Sequence, residues 1–162
     1  MFRWLALVFG VFLCSVLGAS VLRAVEFTIE LKASAAKEGG GTATYPVIKE
    51  GAPRLVLVSS AKHPVKIQWT VRRTGKTTAK DVLVHFFAVR IDKPNQAQVP
   101  KLNKNVVAES AFTMDFKVED KAEGELTFAA PRAGVYLLRL ELKNSGGKGG
   151  AEPFAALDLS VR

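Results

Sequence analysis

Cysteine is almost missing from this sequence: Cys14 is the only one in 162 residues, and it lies inside an apolar leader. Past the leader there is none, which excludes disulfides, cysteine-ligated zinc and a cysteine nucleophile. Histidine is scarce too, with only His63 and His85, so a histidine-rich metal site is all but excluded. No Asn-x-Ser/Thr acceptor occurs, and after the leader no apolar stripe has helical spacing. Acidic residues are absent from the first 24 positions, which hold Arg3 and Arg23. The remainder carries 21 cationic and 15 acidic side chains. It is long enough to bury one core, roughly two-thirds of its unfolded surface, but not two.

Trp4 to Leu22 is an uncharged, mostly apolar run behind the cationic start. That order describes a secretory signal, with cleavage after Ser20 or after Ala24. An uncleaved membrane anchor is the alternative reading of the same residues, because about 20 apolar residues span a bilayer. Phe12 and Leu13 are too bulky for a lipoprotein signal ending at Cys14, which reads as a small apolar residue. An exported domain without cysteine or glycosylation acceptors fits a bacterial periplasm or exterior. Residues 1–24 are therefore a signal peptide or anchor, expected as an apolar helix, and residues 25–162 one domain.

That domain reads as strands. Val25, Phe27, Ile29 and Leu31 alternate with polar residues, as do Val65, Ile67, Trp69 and Val71. The same rhythm runs through Phe112 to Val118, Leu126 to Phe128, Tyr136 to Leu142 and Ala155 to Val161. With Leu55 to Val58 and Val82 to Ile91 this makes seven or eight strands. Each has one apolar face, which a second sheet must cover, so an all-β antiparallel sandwich is expected. Residues 33–53, with Gly39-Gly40-Gly41, read as a long loop, and Asp92 to Asn105 as another. The run Asp81 to Ile91 breaks the rhythm. A bulge near Phe87-Ala88 would place Val82, Val84, Phe86, Val89 and Ile91 in the core, with Leu83, His85 and Arg90 outward. Without a bulge the strand exposes an apolar face that something else must cover.

Two segments resemble a known family. Val65 to Phe86, with Val-Arg-Arg-Thr-Gly-Lys at 71–76 and Ala-Lys-Asp-Val-Leu-Val at 79–84, resembles bacterial extracellular immunoglobulin-like modules of the CARDB type. In that family an Asn-x-Gly turn stands where Arg73-Thr74-Gly75 stands here. Pro131 to Leu138 resembles the corner of immunoglobulin-like folds, in which a tyrosine hydroxyl, here that of Tyr136, anchors the chain. The resemblance implies Leu138 and Trp69 as central core residues. It implies a fold and leaves function open.

Catalytic constellations are wanting. Asp81 and His85 lie roughly 13 Å apart along a strand, beyond pairing distance, so His85 reads as an exposed strand histidine. His63, before Pro64, reads as a turn residue. Glu119, Asp120, Glu123 and Glu125 are interrupted by Lys117 and Lys121 and lack calcium-loop spacing. No nucleophile elbow or phosphate loop occurs. No enzyme, cofactor or metal is expected.

Charge is uneven. Residues 62–80 carry six cations and no acid, and residues 109–125 six acids and two lysines. The basic strand and turn, through Lys66, Arg72, Arg73 and Lys76, are the expected contact for an acidic envelope polymer or a protein partner. If the two segments are neighbours in the folded sheet, they neutralise each other instead. Trp69 belongs to the core face, so no stacking platform accompanies the charge and nucleic acid is not expected. A membrane would be met only through an uncleaved leader. The expected function is an exported, periplasmic or secreted, non-catalytic binding or structural module. The alternative is an assembly protein docking a partner strand or subunit through the apolar face of Leu83, His85 and Phe87.

Overall fold

The computed structural model describes residues 26–35, 39–45, 52–100, 102–145 and 152–162. The expected leader helix over 1–24 lies outside them. Alternating burial makes the strands. On Phe27–Ala35 (β1), Phe27, Ile29, Leu31 and Ala33 turn inward while Glu30 and Lys32 face water. Gly39–Tyr45 (β2), Val56–Ser59 (β3), Pro64–Arg73 (β4) and Ala79–Ile91 (β5) follow. A single helical turn, Leu102–Asn105 (α1), leads into Val106–Phe116 (β6), Lys121–Ala129 (β7), Gly134–Lys143 (β8) and Phe154–Val161 (β9).

The strands form two sheets, one in the order β2-β1-β4-β7 and one in the order β3-β9-β8-β5-β6. Every pair is antiparallel except β3 with β9. Ile29, Leu31, Ile67, Val71 and Phe128 of the four-stranded sheet meet Val84, Phe86, Leu138, Leu140 and Leu157 of the five-stranded sheet in one core. Each such side chain contributes roughly 1.5–3 kcal/mol by leaving water. The result is an immunoglobulin-like β-sandwich.

The tyrosine corner is present. Tyr136 is buried, and its hydroxyl donates to the Arg132 carbonyl at 2.8 Å. Its ring packs edge-on to Phe128, with centroids 5.8 Å apart. Leu138 is in the core, as the resemblance implies. Trp69 is not central. Its register partner is Gly124 on β7, an edge strand, and its ring lies 2.4 Å from where a Cβ on Gly124 would sit. The indole therefore occupies the side of the sandwich, half-buried, against Phe112 of β6 at 5.6 Å.

Two further expectations are corrected. The segment expected as a loop over 33–53 contains β2, which pairs with β1 from Ile29↔Tyr45 to Ala35↔Gly39. Its glycines suggested a loop, but Gly41 serves close approach: a Cβ there would stand 1.9 Å from Leu55 Cδ2. Nor does β5 change phase at Phe87-Ala88. It pairs with β8 without a shift from Leu83↔Lys143 to Ile91↔Val135. The irregularity beside Ala88 belongs to β6, where Ala88↔Ala108 is followed by Val89↔Val106 and Val107 is the extra residue. A second bulge sets Lys80-Asp81 against Asp115, with Asp81 at φ 53 and its N–H on Asp115 Oδ1 at 2.9 Å. Val82, Val84, Phe86 and Ala88 thus face the main core, and Phe87, Val89 and Ile91 the opposite side.

Removing only the corner hydroxyl, Tyr136→Phe, should cost about 1 kcal/mol of stability, the net worth of one hydrogen bond. The measurement is the shift in urea midpoint at unchanged slope, and an unshifted midpoint would show the corner to be energetically idle.

Candidate binding surfaces

Beginning with the basic strand, β4 lies directly beside β7, so Lys66 faces Thr127 and Gln68 faces Glu125. The Lys66 ammonium reaches Glu125 Oε2 at 2.7 Å and the Gln68 amide reaches the same oxygen at 3.1 Å. Lys121 pairs with Glu123 along β7. The outer face of this sheet is therefore a mixed-sign surface. A shallow depression of about 480 Å³ on it is lined by Glu30, Lys32, Gln68, Thr70, Glu123 and Glu125, with Trp69 and Gly124 contributing. The two oppositely charged segments are neighbours along β4 and β7, and Lys66 is paired across them with Glu125.

Arg73 is not on that surface. It continues the phase of Val71 and turns inward, 2% exposed. Its guanidinium lies 4.7 Å from the centre of the Phe27 ring. It donates to the Glu26 carboxylate at 3.0 Å, to the Glu26 carbonyl at 3.2 Å and to the Thr77 carbonyl at 3.0 Å. Arg73 closes the end of the sandwich, and of the four expected contact residues only Arg72 and Lys76 are both exposed and outside these pairs.

The apolar face of β5 is likewise occupied by the protein itself. Phe87 is 1% exposed, and with Val89, Ile91, Leu137, Phe154 and Ala156 it forms a second, smaller core on the outside of the five-stranded sheet. Val99 and Leu102, from the 92–105 segment, cover it. A buried ion pair fastens the cover. Arg54 Nε meets Asp158 Oδ1 at 2.8 Å, and Arg54 Nη2 donates to the Gln96 carbonyl at 2.9 Å. The Asn95 N–H donates to Asp158 Oδ2, and Asn95 itself is in a left-handed turn at φ 60.

His85 is buried rather than exposed, at 6%. Its Nε2 faces Glu109 Oε1 at 2.8 Å and its Nδ1 faces Glu141 Oε1 at 3.3 Å. Those partners lie across the sheet on β6 and β8, which intrastrand spacing from Asp81 could not reveal. A ring protonated on both nitrogens donates to both carboxylates at once. Glu141 also accepts from Arg139 Nε at 3.0 Å and Lys143 Nζ at 3.1 Å, while Arg139 stacks over Phe154 at 3.9 Å. With both nitrogens engaged and the ring buried, His85 has none turned toward a substrate, and its role is to bind three strands together. Among the described residues no group of His, Asp, Glu or Cys is disposed to hold a metal ion.

What remains open is an edge. On β6 the five residues Glu109 to Thr113 are exposed in succession, and no described strand pairs with its far side. Phe112 points toward the sandwich interior but is 39% exposed, beside Trp69. The first half of this strand, Val106 to Ala111, was not legible from alternation. The signal available was an 11-residue run without Gly or Pro from Val106 to Phe116.

No protein-family model matches the chain, and no curated protein matches it. Solved structures match in fold. The solution structure of the CARDB domain of the PF1109 protein from Pyrococcus furiosus is 10% identical, covering 85% of this chain and 97% of that one, with a TM-score of 0.48. A crystal structure of the same domain in complex with di-metal ions is also 10% identical, covering 85% and 96%, at 0.43. The C-terminal domain of wzt is 11% identical, covering 82% of this chain and 70% of that one, at 0.44.

Two outcomes check these assignments. Asp158→Asn leaves Arg54 buried without its counter-charge and should cost about 3–5 kcal/mol of stability. Amide exchange over 92–100 should accelerate with it, and a variant as stable as the parent would mean the pair does not hold the cover. The second outcome concerns pH. The hydrogen bond from Lys66, opposed by desolvation and helped by Gln68 and the Lys66 charge, holds the Glu125 carboxyl below the ordinary 4.5. The hydrogen bond from Lys121 does the same for Glu123. Each contribution to stability is present above 4.5 and is lost as pH falls through the folded value. By carboxyl NMR titration, Lys66→Gln should raise the Glu125 midpoint toward 4.5 and leave Glu123 unmoved. A Glu125 midpoint that stays put would show the pair is not formed in solution.

Proposed function

We propose that the protein is an exported, non-catalytic binding module of the bacterial cell envelope, which takes an extended segment of a partner protein onto the free edge of β6. One observation carries this reading: the uncovered run Glu109 to Thr113 on an edge strand, uncharged from Ser110 to Met114. Natural sheets guard their edges with charge, shortness or cover. Here β7 carries Lys121, Glu123 and Glu125, β3 has four residues, and β2 packs Gly41 against Leu55. β6 keeps charge only toward its ends, at Glu109 and Asp115, and a bulge only at Val107. A strand added there makes backbone hydrogen bonds along the edge and lays alternate side chains over Phe112 and Trp69.

The docking role expected for Leu83, His85 and Phe87 thus moves one strand outward, because the face of β5 is already filled. The basic strand and turn carry less of the reading, since Lys66 and Arg73 are engaged by Glu125 and Glu26. Export is inferred from the apolar leader. Both cleavage points, after Ser20 and after Ala24, precede β1, so processing leaves the sandwich whole.

The test places a photo-crosslinking residue at Ala111 or Thr113, and at Lys32 or Thr42 as controls, in the protein within its producing cells. Adducts are expected from the β6 positions, persisting in high salt, in an envelope fraction whose protein has lost its leader. Adducts from the β1 and β2 positions alone, or protein retaining Met1 in the cytoplasm, would overturn the proposal.

A further inference from the structure

Three chain segments meet at the end of the sandwich opposite Arg73. The Ala61 N–H donates to the Arg162 carbonyl at 2.9 Å, and the Arg162 N–H to the Ser59 carbonyl at 2.9 Å. The Lys62 N–H donates to the Ala130 carbonyl at 3.2 Å, with Lys62 at φ 65. These bonds join the 60–63 turn, the last residue of the described chain and the corner at 130–134, where the Tyr136 hydroxyl fixes the Arg132 carbonyl. Arg90 joins the group, since its Nε lies 3.1 Å from where a Cβ on Gly134 would sit.

The residues gathered there are of one sign. Lys62, Arg132 and Arg162 are exposed and Arg90 half-buried, with exposed His63 beside them. The segments 60–63, 90–93 and 130–134 with Arg162 hold five cationic side chains, counting Lys93, and one acidic side chain, Asp92. Among the described residues the ion pairs engage other cations: Arg54, Lys66, Arg73, Lys121, Arg139 and Lys143, besides His85. This contrasts with the outer face of the four-stranded sheet, where β7 supplies a carboxylate to Lys66.

We propose that this end of the sandwich, built by Lys62, Arg90, Arg132 and Arg162, binds a phosphate-rich linear polyanion. Guanidinium groups match phosphate oxygens two at a time, and three of the four residues are arginine. Lys62, Arg132 and Arg162 are exposed, so this end meets its ligand on an open surface. Affinity there comes from several exposed contacts acting together, each screened by salt. No Phe, Tyr or Trp belongs to these segments, so the surface lacks the large rings on which bases stack. The site is separate from the β6 edge and stands whether or not a strand docks there.

Fluorescently labelled inorganic polyphosphate is the probe, titrated into the purified protein and followed by anisotropy. Binding should weaken steeply as salt rises. The triple variant Lys62→Gln, Arg132→Gln, Arg162→Gln should lose about tenfold or more in affinity, from three contacts of ordinary surface strength. The triple variant Arg72→Gln, Lys76→Gln, Lys80→Gln should stay within about twofold, because it removes the same number of exposed charges elsewhere. Melting curves should match the parent for both variants, since the substituted side chains are exposed. Three results would overturn the proposal: no binding to polyphosphate, equal losses in both variants, or preference for phosphatidylglycerol vesicles over the polymer at matched phosphate. The last would assign the surface to a membrane instead.

Discussion

A strand that is apolar on both faces must be covered twice, and β5 is such a strand. Val82, Val84, Phe86 and Ala88 are covered by the opposing sheet, as in any sandwich. Phe87, Val89 and Ile91 on the reverse side would otherwise present a contiguous apolar patch to water. The chain supplies its own second cover, and much of what distinguishes this sandwich follows. Val99 and Leu102 lie over the patch, and the cover is held by a buried carboxylate, Asp158, on the next strand but one. Where the cover ends, the face is finished by Glu109, His85 and Glu141 with their flanking cations. A buried charge is tolerable when every donor and acceptor around it is engaged, and no buried polar side-chain atom among the described residues is left without a partner.

Self-coverage decides where partners can bind. With the outside of the five-stranded sheet closed, an exposed backbone edge and the loop-built ends remain for it to offer. The edge of β6 is open because β5 needs only one of its sides, and because Gly124 draws Trp69 to that flank rather than into the centre. The other flank is shut by Gly41 lying against Leu55 and Leu57. Glycine thus acts oppositely on the two sides. On one it lets two sheets close; on the other it leaves room for an aromatic ring that stays partly in water.

Alternation made most of the fold legible, because β1, β4, β7, β8, β9 and the second half of β6 keep one apolar residue in every two over part of their length. It failed where burial has a second cause. Gly39 to Gly41 show no side-chain rhythm, yet the β1 register makes them a strand. In β5, strict alternation was correct and the inferred phase change was not, since an apolar outer face could be covered by a loop whose folding leaves no local sequence signal. Arg73 was legible in hindsight: it shares the phase of Val65, Ile67 and Val71, so its inward turn was written in the same rhythm. The partners of His85 were not, because Glu109 and Glu141 lie 24 and 56 residues away.

Charge shows the same division between what a linear run suggests and what the fold assembles. The six cations of residues 62–80 look like one surface in sequence, yet strand geometry disperses them. Lys66 faces β7, Arg73 enters the interior, and Lys62 is carried to the opposite end from Lys76. There it joins Arg90, Arg132 and Arg162, which are far apart in the chain and make no charge run at all. Backbone bonds from Ala61, Lys62, Arg162 and the Tyr136 hydroxyl fix the segments that carry them. A ligand arriving at this end therefore orders side chains but not loops, and the entropy lost on binding is smaller by that amount. The same holds at β6, whose backbone is already extended and paired on one side. Both proposed surfaces are shaped before contact by hydrogen bonds of the sandwich itself.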